Sequence, residues 1–290
     1  MKALRKHASI ILYILPALAP LLVFWVLPTI LTIGLSFTNW DMMSPEINMV
    51  GLYNYQVLFG DINFMEVLIN TLIFGVSTTF ASIIIGLFLA VLVESIGKHG
   101  RILETLIFSP YVTTMVAVSI VWSWIFEPNV GILNYVLSFI NLGPFEWLRS
   151  ADTAMLSVVI VTVWKQIGWV MIFYISAIKR ISGSVIEAGK VDGANEWNIF
   201  WKIKVPLISP TTYFLTIVLT INSLQAYDQI QVLTQGGPAG ATRTLLYYFY
   251  QEAFGSFNVG KASAVVIVLA IVTVILTMIE SYISKSNTHY

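Results

Sequence analysis

The residues from Glu187 to Pro206 read EAGKVDGANEWNIFWKIKVP, and this charged run separates two apolar segments that are each long enough to cross a membrane. Ser184 lies three residues before Glu187, which is the spacing of a capping box, so a helix is expected to begin near Val185. Gly193 follows an aspartate, and a glycine in such a turn pair accepts the positive φ that ends a helix. The stretch therefore predicts two short helices joined by a bend at Gly193.

The second short helix is predicted to carry an exposed aromatic face. Asn195 can cap its start, and Pro206 is expected to stop it. Positions i, i+3, i+4 and i+7 share one face of a helix, and here they are Trp197, Phe200, Trp201 and Lys204. An apolar face outside the membrane favours a binding groove on a partner. A loop that folds back on its own domain would explain the same pattern.

The composition indicates a membrane protein. Hydrophobic residues make up 57% of the chain and charged residues only 10%, whereas a soluble domain has about 25% charged residues. The chain contains no cysteine, so a disulfide framework and a thiolate metal site are both excluded. Its three histidines have no metal-ligand spacing.

Six segments are predicted to cross the bilayer, since a span needs about 20 apolar residues. They are residues 10–37, 69–93, 105–126, 154–178, 208–229 and 262–283. The predicted fold class is therefore all-α, a polytopic membrane protein with six transmembrane helices. The apolar run of the first span is longer than the h-region of a signal peptide, so cleavage is not expected.

The positive charges predict the orientation. Eleven of the 15 Lys and Arg residues lie in the N-terminal tail, in residues 94–104, in residues 179–207 and in the C-terminal tail. Residues 39–68 contain none. The positive-inside rule therefore places both termini and the loop around Gly193 in the cytoplasm.

The loop also resembles a family motif. Glu187-Ala188-Gly189, three residues, Gly193, nine residues and then Ile203-x-Val205-Pro206 is similar to the EAA loop of ABC importer permeases, with Gly189 for Ala and Val205 for Leu. The resemblance implies a cytoplasmic two-helix coupling loop, residues 184–206, that docks into a cleft on an ATPase subunit. The implied ATPase-coupling residues are Glu187, Ala188, Gly189, Asp192, Gly193, Ala194, Trp197, Phe200, Trp201, Ile203 and Pro206.

Further runs resemble one subclass, the sugar and glycerol-phosphate importer permeases with an extra N-terminal span. The runs are SFTNW at 36–40, VGLYNY at 50–55, the Asn70-Thr71 pair and TQGGP at 234–238. The resemblance implies three regions. Residues 1–68 would form the tail, first span and external loop, 69–283 the permease domain, and 284–290 a cytoplasmic tail.

Polar groups inside the predicted spans are candidates for the solute pathway. Lys165 is near mid-membrane, where a charge is costly, so it is expected to line a cavity or form an ion pair rather than to snorkel. Asn222, Gln225 and Gln229 are predicted to form one polar stripe, which would serve the solute or bond between helices. The candidate pathway residues are Lys165, Gln166, Asn222, Gln225, Asp228 and Gln229.

The function is predicted from motifs that are absent and from the resemblance. No Walker run occurs, so the chain is not expected to hydrolyse ATP, and no catalytic cluster or metal site is predicted. The resemblance implies a sugar or oligosaccharide importer in a bacterial or archaeal plasma membrane, working by alternating access. Its partners would be a second permease subunit of a different kind, two cytoplasmic ATPase subunits holding ATP and Mg, and an extracellular or periplasmic solute-binding protein. No nucleic acid is expected.

Three alternatives stay open at this point. The solute could be glycerol-3-phosphate or a polyol, because permeases for these solutes share the same signatures. An ion-coupled secondary transporter would need titratable groups inside the membrane, and Lys165 is the only deep charge. A membrane-embedded enzyme would need a catalytic cluster, which the sequence lacks.

Overall fold

The computed structural model describes residues 13–97 and 100–287, and this part of the chain is built from helices. Within it, an isolated bridge between Thr38 and Met49 is the only β pairing. The helices are α1 (Tyr13–Leu35), α2 (Tyr53–Gly60), α3 (Ile62–Ser95), α4 (Gly100–Val112), α5 (Met115–Ile125), α6 (Ile132–Ser138), α7 (Ala151–Lys179), α8 (Gly183–Val191), α9 (Glu196–Leu224), α10 (Asp228–Leu233), α11 (Leu245–Tyr250) and α12 (Val259–Asn287).

The prediction of an all-α membrane protein is confirmed. Five of the described helices are long and apolar enough to span a membrane, and a sixth span is present if the bent pair α4 and α5 counts as one. The two helices of this pair meet at an angle of 101°, so the predicted third span at 105–126 is not one straight helix. Pro110 removes a backbone hydrogen bond in the last turn of α4, and Thr114 is extended, which together explain the break.

The chain divides into two compact units. One comprises the residues up to Ile62 together with Tyr248–Val268, and the other comprises Asn63–Tyr247 and the residues from Leu269. Each unit has its own buried contacts, which are described separately below.

The first unit is organised by the two signature runs near the N-terminus. The Asn54 amide donates hydrogen bonds to the carbonyl oxygens of Ser36 and Thr38, at 2.9 and 2.8 Å. The Tyr55 hydroxyl donates to the Ser36 hydroxyl. A Cβ on Gly260 would overlap the Thr38 carbonyl, so only glycine allows this close approach. These residues therefore have a structural role that the sequence motifs did not reveal.

The second unit packs α3, α4, α7 and α9 around a buried core. Tyr174 is fully buried and its hydroxyl donates to the Thr212 hydroxyl at 3.1 Å, which ties α7 to α9. Two glycines let helices touch: a Cβ on Gly86 would overlap Val170, and a Cβ on Gly168 would overlap the Ile107 carbonyl. Helix α7 is thereby held tightly between α3 and α4.

Candidate functional site

Helix α8 begins earlier than the capping-box pattern predicts. Its N-cap is Ser182 and its first residue is Gly183, so the predicted start near Val185 with Ser184 as the cap is wrong. The hydroxyls of Ser182 and Ser184 lie 2.8 Å apart and bond to each other. The Ser184 side chain is therefore engaged within the first turn instead of capping the N–H of Glu187.

The bend at Gly193 has the geometry predicted from the sequence. Gly193 has φ +81°, which confirms the expected positive value. Its N–H bonds to the Lys190 carbonyl, and the N–H of Ala194 bonds to the Gly189 carbonyl, both at 3.0 Å. This pair of bonds is a Schellman motif, which satisfies carbonyls that the end of α8 would otherwise leave unpaired. Asp192 is the C-cap between them.

The second helix starts as predicted but does not stop at Pro206. The Asn195 side chain accepts a hydrogen bond from the N–H of Asn198 at 2.8 Å, which confirms the cap. The helix then continues into the membrane as α9, through one π-helical turn at Phe200–Lys204. In that turn the N–H of Val205 bonds to the carbonyl of Phe200, five residues back. The wider turn accommodates the proline ring that follows, so Pro206 does not end the helix.

The aromatic face of this helix is exposed. Trp197 is 69% exposed and Trp201 is 49% exposed, and their rings pack edge to face with centroids 5.7 Å apart. The opposite side is anchored, because Ile199 is fully buried and Ile203 packs so closely on Gly189 that a Cβ there would lie 2.7 Å from its Cδ1. Of the predicted face, Trp197 and Trp201 therefore point away from the described part of this chain, whereas Phe200 and Lys204 are half-buried against it.

Other polar contacts hold the coupling loop in place. Lys190 and Glu196 form an exposed ion pair across the bend, with a nitrogen–oxygen distance of 3.0 Å. Lys204 approaches Glu94 at the end of α3 to 3.8 Å, in a more buried position. Glu187 and Ala188 lie on α8, which precedes the bend at Gly193.

The six candidate pathway residues meet around one cavity. Its volume is about 240 Å³, and its lining includes all of them: Lys165, Gln166, Asn222, Gln225, Asp228 and Gln229. It lies among α4, α7, α9 and α10, in the second unit. The lining also includes Tyr111, Thr162 and Tyr227, which the sequence analysis did not single out. Tyr111 follows Pro110, and a proline inside a predicted span is a signal for a break in the helix. This signal could have indicated Tyr111 as a candidate.

The polar groups from Asn222 to Gln229 do not form the predicted helical stripe. Helix α9 ends at Leu224, and α10 begins only at Asp228, so the predicted fifth span at 208–229 is interrupted. Tyr227 between them has a non-helical backbone, with φ −132° and ψ −55°. The break, and not a continuous helix face, brings these side chains to the cavity.

Lys165 lines the cavity and also supports a helix end. Its ammonium group donates to the Tyr111 carbonyl at 3.0 Å and lies 5.1 Å from the centre of the Tyr111 ring. Tyr111 is in the last turn of α4, where carbonyl groups lack helical partners and a cation is favourable. Within residues 13–97 and 100–287, no carboxylate lies at ion-pair distance from Lys165. Within the described residues Lys165 therefore caps the C-terminal end of α4 and does not form an ion pair.

The Asn70-Thr71 pair and the TQGGP run both bond to residues 240–245. The Asn70 amide donates to the carbonyls of Gly240 and Arg243, and the Thr71 hydroxyl accepts from the N–H of Leu245 at 2.9 Å. The Thr234 and Thr242 hydroxyls bond to each other at 2.7 Å. The two motifs thus hold the loop before α11 against the start of the second span.

Comparison with known proteins identifies relatives along nearly the whole chain. Residues 82–288 match the family described as binding-protein-dependent transport system inner membrane component. The sn-glycerol-3-phosphate transport system permease protein UgpA of Pectobacterium atrosepticum is 30% identical over 280 residues, covering 96% of this chain and 94% of that protein. The probable ABC transporter permease protein YurN of Bacillus subtilis is 31% identical, covering 95% and 96%.

Solved structures share the fold. One chain of a bacterial ABC transporter that imports the acidic polysaccharide alginate aligns with a TM-score of 0.84 and 22% identity, covering 99% of both chains. A chain of the MetNI methionine ABC transporter aligns with a TM-score of 0.55 and 16% identity, covering 79% of this chain and all of that one. The family match and the relatives agree with the EAA-type loop and the apolar helices described above. This chain therefore belongs to the family of binding-protein-dependent transport system inner membrane components, and it is a permease subunit of an ABC importer.

Proposed function

We propose that this chain forms one half of the translocation pathway of an importer for a neutral, polyhydroxylated solute, a sugar or an oligosaccharide. An external binding protein delivers the solute, and two separate ATPase subunits, which hold ATP and Mg, drive alternating access. The second half of the pathway is another permease subunit. In this proposal ATP hydrolysis takes place on the ATPase subunits, and this chain has a transport role.

The observation that carries the proposed solute class is the composition of the cavity. Its lining offers four carboxamides, the ammonium group of Lys165 and the carboxylate of Asp228, so the two charges balance. Carboxamides both donate and accept hydrogen bonds, which suits hydroxyl groups. A phosphate group favours several cationic or bidentate partners, and here the single ammonium group already bonds to Tyr111.

A second candidate solute is sn-glycerol-3-phosphate, which relatives at 30% identity are named for. The cavity can be completed by the second permease subunit, and cations from that subunit would favour the phosphate. The two candidates therefore differ in which solute stimulates the assembled complex.

The solute class can be tested with the importer reconstituted in liposomes with its binding protein and ATPase. We expect neutral saccharides to drive ATP-dependent uptake and to stimulate ATP hydrolysis, and sn-glycerol-3-phosphate to do neither. The reverse pattern would establish the second candidate. Uptake that persists without ATP while an ion gradient is present would overturn the assignment to an ATP-driven pathway.

The orientation is the second part of this proposal. The distribution of positive charge supports an orientation in the plasma membrane with both termini and the coupling loop on the cytoplasmic side. The chain has no cysteine, so single cysteines can be introduced without background labelling. In intact cells, a membrane-impermeant thiol reagent is expected to label Asn48→Cys and Glu146→Cys, and to leave Lys190→Cys unlabelled until the membrane is permeabilised. Labelling of Lys190→Cys alone would invert the topology.

A further inference from the structure

The short helix α6 has apolar side chains on two opposite sides. On one side Leu133 and Leu137 pack against the buried cluster that includes Phe126 and Trp147. On the other side five apolar residues of α6 and of the turn that follows it are exposed, each between 53% and 70%: Ile132, Tyr135, Val136, Phe139 and Ile140. Their spacing of i, i+3, i+4, i+7 and i+8 places them on one helical face. A contiguous exposed apolar face of this kind indicates contact with a partner or with a membrane.

The exposed face is held in a defined position by Asn134. The Asn134 amide donates to the carbonyls of Pro128 and Phe145, each at 2.9 Å. Its oxygen accepts from the Phe145 N–H at 3.2 Å and from the Trp147 indole N–H at 2.8 Å. Both hydrogens and the acceptor oxygen of the side chain are thus used, and the helix is fixed to the segment that leads into α7.

The charges around α6 mark a boundary. No Asp, Glu, Lys or Arg occurs between Glu127 and Glu146, which lie on either side of the helix. Glu127 forms an ion pair with Arg149 at 3.1 Å, and the Arg149 side chain is 64% exposed. Charged groups therefore flank the segment at its two ends, while the segment itself is uncharged.

The position of α6 in the chain limits what can cover its face. Helix α6 follows the bent pair α4 and α5, a candidate span that ends at Ile125, and precedes α7, a candidate span that begins at Ala151. Six residues separate Ile125 from Ile132, which makes seven Cα–Cα steps, so α6 starts at most about 25 Å from the end of that candidate span. The bilayer surface is within reach on the same side, and no further chain segment is needed to bring the two together.

We propose that the exposed face of α6 lies in the bilayer, at the boundary between headgroups and acyl chains, and anchors this loop to the membrane surface. The Tyr135 and Phe139 rings pack edge to face with centroids 5.1 Å apart, and aromatic side chains are favoured at this depth. A soluble binding protein is a poorer occupant, because transient protein interfaces are as polar as ordinary surface. A face with no charge from end to end instead suits lipid.

The proposal can be tested by fluorescence quenching in the complete importer reconstituted in liposomes. Phe139→Cys, labelled with an environment-sensitive fluorophore, replaces a side chain that packs on no core. Glu146→Cys is the matched control at the charged border of the same segment. We expect nitroxide lipids labelled near the headgroup to quench the fluorophore at 139 several-fold more than at 146, and aqueous iodide to show the opposite order.

Two results would overturn this inference. Equal quenching by iodide at 139 and 146 would place the face in water. Protection of 139 from both iodide and nitroxide lipid would show that another protein subunit covers it. The same pair of measurements on Val136→Cys guards against a local effect of a single label, because Val136 lies on the same face one turn earlier. Neither result depends on which solute the importer carries.

Discussion

Replacing Gly193 with aspartate is expected to abolish solute uptake without affecting delivery of the solute by the binding protein. Gly193 has φ +81°, and a Cβ added there would meet no atom of this chain within 4 Å. Aspartate tolerates positive φ better than most residues, so the strain within the chain is at most about 1–2 kcal/mol. A larger effect must arise where the bend meets another protein, in the proposed cleft of the ATPase subunit.

The expected loss of binding free energy for the ATPase follows from the nature of such a contact. A side chain forced into a packed docking site removes interaction energy on the scale of a hot-spot residue, about 2–4 kcal/mol. Association with the ATPase would then weaken about 30- to 1,000-fold. We expect the ATPase to dissociate from the purified complex, or to hydrolyse ATP without responding to the loaded binding protein. Co-purification and stimulated hydrolysis measure these two outcomes.

Gly183→Asp is the matched control for this substitution. Gly183 begins α8, has a helical backbone and also has no atom within 4 Å of an added Cβ. It lies just outside the proposed coupling loop, and an acidic residue in a first helical turn is favourable. Retention of the ATPase and stimulated hydrolysis should stay near wild type. If Gly193→Asp behaves like Gly183→Asp, the bend is not the coupling element.

The coupling loop could be predicted well because its signals are local. The positive φ of Gly193 and the cap at Asn195 depend on residues within one turn, and both predictions are confirmed. The start of α8 was missed because two neighbouring hydroxyls bond to each other. The continuation of α9 past Pro206 was missed because proline is normally a stop signal, while a π turn removes the need for its N–H.

A π turn that precedes a proline within a continuous helix also occurs in the first span, so this feature recurs in the fold. A π turn at Leu22–Val26 ends with the N–H of Leu27 bonded to the carbonyl of Leu22, and Pro28 follows immediately. Hydrophobic periodicity does not distinguish a helix with such a turn from a straight one. The sequence therefore predicts how many spans there are better than where each of them starts or bends.

The cavity illustrates the opposite situation, in which the residues were predicted but the geometry was not. Polar side chains inside apolar segments are costly, and this cost alone selected Lys165 and the amides near Gln225. Their meeting point depends on two broken spans, the bend between α4 and α5 and the gap between α9 and α10. Such breaks depend on tertiary packing, and no local pattern in Ser223 to Tyr227 indicates one.

Replacing Gln225 with leucine is expected to lower solute uptake strongly while the complex assembles normally. Gln225 is exposed toward the cavity, and its side chain makes no hydrogen bond to the part of this chain that the structure describes. The substitution therefore removes no internal bond. A solute hydroxyl left unpaired in a closed site costs about 1–3 kcal/mol, which corresponds to about 5- to 150-fold lower uptake at limiting solute.

Three further variants show whether the loss of uptake comes from the cavity. Gln231→Leu makes the same chemical change on α10, outside the cavity lining, and should transport like wild type. Lys165→Met should also lower uptake, but it leaves the Tyr111 carbonyl without its donor, so assembly and basal ATP hydrolysis must be measured beside it. Lys165→Arg retains a donor for that carbonyl and should therefore preserve assembly even where uptake falls. It separates loss of the solute contact from loss of the bond to Tyr111. Unchanged uptake in both Gln225→Leu and Lys165→Met would show that these cavity-lining side chains do not contact the transported solute.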